Sequence, residues 1–340
     1  MSSIVEIIAK ELNISTASVS RALNDRPGVG EDLRSRILDK AREMNYAPSS
    51  TARGLATSRT FALGFFIHEK PGLPAQNDPF YGEIMRGVEQ ALAHSEYHLT
   101  FATITDDILN NPDRFRFTRQ RRIDGMILAG PDISPSFVLA MSRLNVPVVL
   151  VDNQLEHSQA HSISSDDEGG AYRATRHLIE LGHQKIGILS GPTHWPSNRR
   201  RVQGYWRALD EAGLSKPTVY ADLTTIESGQ GAFERLYSMS PDITAICAVN
   251  DSMAIGAIRA ARVLGLKTPD DLSVVGFDDI DWAAHNDPPL TTMHIPMRQM
   301  GTEAARRLLA LVADPGLSPT DLTISVILKE RASTARPKTK

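Results

Sequence analysis

Carboxylates, an amide and a guanidinium stand at the ends of apolar runs along most of this 340-residue chain. Asp78, Phe80 and Tyr81 come after FALGFFI, Asp106 after HLTFATI, and Asp152 closes VPVVLVD. Asn250 and Asp251 follow ITAICAV, and Asp278 and Asp279 follow LSVVGF. Arg201 lies in NRRRVQGY, near the start of a helical stretch that follows a strand and a loop. Each of these polar groups can hold two neighbouring hydroxyls of a polyol, and an aromatic ring can cover the apolar face of a sugar. Catalysis would also want an activated nucleophile or a metal set. The sequence has no HExxH, no GxSxG, no P-loop and no Cys–His cluster, so neither a catalytic residue nor a metal or cofactor is expected. An Asp after a strand also serves as a helix N-cap. Asp251 fits that reading better, and Asp78 and Asp279 fit both.

A second chemistry sits near the N-terminus. In ISTASVSRALN, Val19, Ala22 and Leu23 form an apolar stripe at helical spacing, with Thr16, Ala17, Ser20 and Arg21 on the other face. Ser15 is a good N-cap. Val5, Ile8, Ala9 and Leu12 predict a preceding helix, with Ser3 and Glu6 at capping-box spacing. Asn13 falls in the turn between them, where left-handed geometry is tolerated by Gly or Asn. Two short helices, a sharp turn and a polar second helix make a helix-turn-helix, built to enter a major groove. A plain three-helix cap would show the same pattern. Leu33, Ile37, Ala41 and Met44 predict a third helix, whose Arg34, Arg36, Lys40 and Arg42 suit either phosphate contact or a solvated face.

The elements that must position the first set begin at Phe61. FALGFFI, HLTFATI, GMILAG, VPVVLVD, KIGILSG, ITAICAVN, LSVVGFD and LTISVILKE predict buried strands. Between them lie amphipathic stretches such as Tyr81–Ala93, Glu168–Leu181, Arg200–Ala212 and Ser252–Leu264. This alternation argues for parallel sheets covered on both faces. There are too many units for one small sheet, so two doubly wound subdomains with a cleft between them fit best. Ligands of such sheets bind outside the carboxyl ends of the strands, where the polar residues cluster.

ISTASVSRALND, followed by Tyr46, Pro48, Ala52 and Leu55, resembles the N-terminal domain of LacI/GalR-family transcriptional repressors, and the resemblance runs through nearly the whole chain. It implies a small all-α helix-turn-helix headpiece joined to a periplasmic-binding-protein-like α/β body. The expected division is 1–47 for the DNA-binding domain, 48–60 for a hinge helix and linker, 61–330 for the effector-binding and dimerisation domain, and 331–340 for a frayed tail. Within the body, 61–158 with 291–319 and 162–288 with 322–330 would form the subdomains. The crossings are expected near His157–Ile163, Asp287–Met293 and Pro319–Thr323. Ser15, Thr16, Ala17, Ser20, Arg21 and Asn24 are the candidate DNA contacts, Thr16 and Ala17 taking the two positions that choose bases. Ala17 offers only a methyl contact to thymine.

Ser49, Ala52 and Leu55 lie in the segment matching the family's hinge helix, which folds on the operator and pushes Leu55 into the minor groove. Eight residues including Gly54 cannot hold a helix alone in water, and a plain linker is the competing reading. In the body, Asp152, Arg201, Asn250 and Asp278 match the family's effector contacts, and Phe80 its NPF aromatic. The family pattern departs in three places. Gly30 replaces a capping Ser, Ser49 stands where Asn is frequent, and Asp78 replaces the Asn of NPF. No aromatic stands near Thr224, and Trp195 in GPTHWPSNRR is a candidate substitute. Trp282 is expected at the interface of a homodimer reading a near-palindromic operator, with a small sugar as effector.

The formal net charge of −3 hides an asymmetry: nine Lys or Arg against seven Asp or Glu up to Thr60, then 28 against 33. A mildly basic head on an acidic body agrees weakly with a polyanionic partner. A single cysteine, Cys247, suits a reducing cytoplasm and, in an apolar run, a core position. No signal-peptide pattern or membrane-length apolar run is present, which counts against a secreted sugar receptor. An enzyme on a Rossmann-like body lacks its fingerprint.

Overall fold

Ile4–Glu11 (α1), Thr16–Leu23 (α2) and Glu31–Glu43 (α3) form the N-terminal helices of the computed structural model. It describes residues 4–23, 26–46, 59–69, 78–155 and 160–338. Asn13 adopts φ 54°, and Ser15 Oγ accepts from the Ser18 amide at 3.1 Å, so the turn and cap are those the sequence predicts. Ile8, Val19, Ala22 and Ile37 bury the helices against one another, with Leu12, Ile14, Leu33 and Tyr46 packed around them. Gly30 caps α3 with no side-chain hydrogen bond, and Glu31 and Asp32 supply negative charge to that terminus instead. Lys40 pairs with Glu11 and Glu43, Arg42 with Asp39, and Arg34 donates to the Arg26 carbonyl.

The chain divides into two units, Met1–Phe61 and Ala62–Lys340. Among the described residues, the second contains twelve strands: β1 Ala62–His68, β2 His98–Ile104, β3 Gly125–Ala129, β4 Val148–Val151, β5 His161–Ser165, β6 Ile186–Ser190, β7 Thr218–Tyr220, β8 Ala245–Ala248, β9 Ser273–Asp278, β10 Thr291–His294, β11 Asp321–Ile324 and β12 Ile327–Lys329. They form two six-stranded sheets, ordered β11-β5-β4-β3-β1-β2 and β12-β10-β9-β8-β6-β7. All pairs are parallel except β10 with β12. The longer helices are α4 Pro79–Leu92, α5 Pro135–Arg143, α6 Asp167–Glu180, α7 Pro196–Glu211, α8 Ile226–Met239, α9 Asp251–Val263 and α10 Met297–Ala313. α4 and α10 approach closely enough that a Cβ on Gly301 would lie 1.9 Å from the Ile84 carbonyl oxygen.

Three expectations need correction. The chain crosses between sheets later than the family spacing suggests: β5 still belongs to the first sheet, β10 to the second, and β11 to the first again. His161, Ser162, Ser164 and Ser165 are buried in β5 although polar, and His161 and Ser162 find partners on neighbouring elements. Ser162 Oγ donates to Asp321 at 2.6 Å, and Arg307 Nε donates to His161 at 2.9 Å. LTISVILKE is two strands in different sheets rather than one.

The third correction concerns the C-terminal residues. Over 331–338 they are held, not frayed. Ser333 is fully buried, accepts from the Thr291 amide at 2.8 Å and donates to the Val274 carbonyl at 2.6 Å. Arg331 pairs with Asp279, and Lys338 with Asp271.

Candidate functional site

The carboxyl ends of both sheets open on one cavity of about 290 Å³. β1 and the start of α4 bring His68, Asp78, Phe80 and Tyr81 to it; β3 and β4 bring Asp132 and Asp152. From the second sheet come Trp195, Asn198 and Arg201 on α7 and its entry loop, Thr224 and Glu227 around the start of α8, Asn250 and Ser252 after β8, and Asp278 and Trp282 after β9. Phe80, Asp152, Arg201, Asn250 and Asp278, separated by up to 198 residues in the chain, therefore line one cavity from its two sides. Topology does this: parallel strands point their carboxyl ends the same way, and each loop starts from there.

Arg201 anchors the second-sheet side. It is almost wholly buried; Nε donates to Asp167 at 2.8 Å, and Nη1 donates to the Val249 carbonyl at 2.5 Å and to Asp278 at 3.1 Å. Its guanidinium lies 3.9 Å from the Phe277 ring centroid. Burial works against its charge, but Asp167, Asp278 and Asp152 together hold it more firmly protonated than usual. Asp152 and Asp278 both turn the chain sharply at a strand end, with φ 56° and 115°. Asp tolerates positive φ better than a bulky residue would.

Tyr81 donates to Asp152 at 2.8 Å. Burial, aided by the charge of Asp167, pushes the Asp152 carboxyl up to about 7. Burial also pushes Asp78 up to about 6, and raises Asp278 against the pull of Arg201. For Asp152 the folded protein binds a proton more tightly than the unfolded chain, so this group's contribution to stability is greatest at low pH. It declines as pH rises from about 4 to about 7, by roughly 2–4 kcal/mol. Asp152→Asn keeps an oxygen for Tyr81 and removes the titration. Urea unfolding should show the variant gaining on the parent across that window and holding the gain above it. A constant offset from pH 4 to pH 8 would contradict this.

The remaining strand-end groups divide. Asp78 is both the N-cap of α4, accepting from the Phe80 amide at 2.9 Å, and part of the cavity wall. Asn250 likewise caps α9, accepting from the Met253 amide at 2.9 Å, while lining the cavity. The cap is therefore Asn250 rather than Asp251. Asp251 is buried, accepting from the Ile280 amide at 2.9 Å and Thr292 Oγ1 at 2.5 Å. Asp279 bonds to Arg331 and His294. Asp106 bonds to His68.

Trp195 lines the cavity and donates its indole hydrogen to Asp132 at 2.9 Å. Trp282, expected at a subunit interface, is half-exposed on the cavity lining. Thr224, near which the resemblance implies a ring on the effector, does line the cavity, whereas His68, Asp132, Asn198, Glu227 and Ser252 carry no signal in the sequence analysis above. The strand-end rule alone would have reached His68, the last residue of β1, and Asp132, just beyond β3.

On α2, Val19 and Ala22 are buried, while Ser15, Thr16, Ala17, Ser20 and Arg21 are exposed along the helix and its cap. Five of the candidate DNA contacts thus share one accessible surface. Asn24, Ser49, Ala52 and Leu55 lie outside the described residues.

Residues 72–332 match the model of periplasmic binding proteins and the sugar binding domain of the LacI family, and residues 6–49 that of bacterial regulatory proteins of the lacI family. The chain belongs to the LacI family. Its relatives include the HTH-type transcriptional repressor PurR of Aliivibrio salmonicida, 31% identical over 91% of this chain and 92% of that one. The ribose operon repressor of Escherichia coli K12 is 31% identical over 96% of this chain and 98% of its own length. Among solved structures, the lac repressor dimer bound to operator and the anti-inducer ONPF superimposes with a TM-score of 0.80 at 25% identity, covering 96% of this chain and 98% of that one. This LacI-family chain is a DNA-binding transcriptional regulator of the repressor type with a sugar-binding body. Among the described residues, no helix is long and apolar enough to cross a membrane.

Proposed function

We propose that the chain acts in the cytoplasm as a homodimer without catalytic activity, holding a near-palindromic operator with an affinity set by a small sugar in the cavity. The observation that carries the reading is the convergence of Asp152, Arg201, Asn250, Asp278 and Phe80 on one cavity in a chain whose α2 presents an exposed polar face. Two-fold symmetry of the protein calls for two-fold symmetry in the DNA. Ser15, Thr16, Ala17, Ser20, Arg21 and Asn24 would contact each half-site. Ser49, Ala52 and Leu55 would act from the tether over residues 48–60, between a head at 1–47 and a body at 61–330. The ribose operon repressor among the relatives supports a sugar as the effector class.

The mechanism is a change in the geometry shared by two weak tethers. Sugar between the two sheets favours one relative placement of the subdomains, and the tethers of the dimer then meet the minor groove well or badly. Coupling of this kind typically amounts to about 1–3 kcal/mol, or roughly 5–150-fold in operator affinity.

Selection from random duplex DNA with the full-length protein tests the DNA half. A near-palindromic consensus is expected, and enrichment of an asymmetric site would argue against a symmetric dimer. On that consensus, Leu55→Ala should lower both affinity and bend angle while the dimer persists. An unchanged bend would remove the wedge.

A further inference from the structure

Between β2 and β3 the chain reads RFRFTRQRR over residues 114–122, a pattern that the cavity does not explain. Phe115 and Phe117 are buried, while Arg114, Arg116, Arg119, Arg121 and Arg122 are exposed. The two rings lock the segment to the body: Phe66 lies 4.9 Å from Phe115 and 5.0 Å from Phe117, and Phe137 lies 5.7 Å from Phe115. The arginines are therefore presented from a fixed base. Asp107 engages Arg114, and Arg116 lies over the Phe117 ring. Arg119, Arg121 and Arg122 have no side-chain partner among the described residues. Arg121 holds φ 46°, where glycine would sit more easily, so the turn itself does not call for an arginine.

These side chains stand at the amino end of the first sheet. The Asp124 amide donates to the Ala62 carbonyl at 2.8 Å, which sets the segment beside the first residue of β1. Arg143, exposed and also without a side-chain partner among the described residues, ends α5 just ahead of β4. The Met126 amide donates to the Pro147 carbonyl at 2.9 Å, joining the approach to β4 with the start of β3. β1, β3 and β4 are neighbours, so strand spacing puts their starts within about 10 Å of one another. Acids at this end include Glu96 ahead of β2, the half-buried Asp124, and Asp321, which Ser162 engages. The body carries more acid than base, so unpaired arginines gathered at one end run against its overall charge.

The chain from the head arrives at this same end. Arg59, exposed, and Thr60 lead directly towards β1. Arg59 stands thirteen positions after Tyr46, a span of at most about 45 Å when fully extended. The DNA-binding head is thus tied to the end that bears the arginines and not to the carboxyl end that bears the cavity.

Guanidinium groups match phosphate oxygens in charge and in geometry. We propose that Arg119, Arg121, Arg122 and Arg143 form a phosphate-binding surface on the body, which holds the backbone of the same duplex whose bases the head reads. The contact adds affinity without sequence preference, because phosphates carry no base identity. This rests on DNA binding by the head and extends it to the body.

Anisotropy titrations of the full-length protein, on the operator that selection yields and on an unrelated duplex, test it over roughly 0.05–0.3 M salt. One variant carries R119Q, R121Q, R122Q and R143Q, and a second carries Lys at the same four positions. A control removes four exposed charges elsewhere on the body, with K185Q, K216Q, K267Q and K329Q. The Gln variant should bind both duplexes at least about tenfold more weakly at about 0.1 M salt, with the ratio of the two affinities held within about threefold. Its plot of log Kd against log salt should become shallower by at least about two, since each neutralised phosphate contributes about 0.9. The Lys variant and the control should each stay within about threefold of the parent protein, because Lys keeps the charge and the control keeps the surface. Melting curves like the parent's show that each variant folds.

An unchanged salt slope in the Gln variant, or a loss confined to the operator, overturns the inference. So does a Lys variant as weak as the Gln one, which would assign these guanidinium groups to structure. A control as weak as the Gln variant traces the loss to net charge and overturns it equally. Each of these results leaves DNA binding by the head standing; that falls only if the parent protein holds neither duplex.

Discussion

Arg201→Ala is expected to abolish the response of operator binding to sugar and to destabilise the body by about 3–5 kcal/mol, the usual cost of removing one partner of a buried ion pair. A simple ligand contact would lose only the first. The difference lies in what the guanidinium already holds: Asp167 at 2.8 Å, Asp278 at 3.1 Å and the Val249 carbonyl, stacked on Phe277. Asp167 is 2% exposed and Asp278 7%, so truncation strands two buried acids at once. Urea unfolding and operator titration on the same variant separate the two effects. Lost response with unchanged unfolding would make Arg201 a contact and not a strut. Full response with unchanged unfolding would misplace the cavity.

Arg21→Ala is the complementary case. Arg21 is exposed on α2, opposite the buried Val19 and Ala22, so unfolding should shift by less than about 0.5 kcal/mol. Specific operator affinity should fall roughly 5–150-fold, the range for an arginine reading a base edge at about 1–3 kcal/mol. Binding to unrelated duplex at the same salt should change far less, because that component comes from phosphate neutralisation spread over many charges. Equal losses on specific and unrelated DNA would assign Arg21 to the backbone. Equal losses of operator and sugar affinity would mean that the variant damages the fold.

These two residues also mark how far the sequence could be read. The headpiece was legible because its determinants are local. Asn13 at the turn, Ser15 at the cap and the stripe Val19–Ala22 lie within ten residues and obey helix rules directly. The cavity was legible in outline because parallel sheets put loops at one end, so apolar runs followed by Asp or Asn point to it. What stayed hidden depends on distant partners. β5 reads as a polar segment, and only pairing of Ser162 with Asp321 and of His161 with Arg307 makes it an interior strand. Ser333 becomes core through Thr291 and Val274. Arg201 reads as a ligand contact in the sequence, and its structural load appears only with Asp167 and Asp278 in place. His68 gives no motif at all, and its orientation is set by Asp106, 38 residues away.

The central claim is that occupancy of the cavity changes the grip of α2 on its operator. Titrating labelled operator duplex with the full-length protein, at one fixed salt concentration, with and without a saturating amount of a sugar that calorimetry shows to bind, tests it most directly. The expected result is a change in Kd of roughly 5–150-fold that disappears in Arg201→Ala. Identical curves with the cavity demonstrably filled would contradict it.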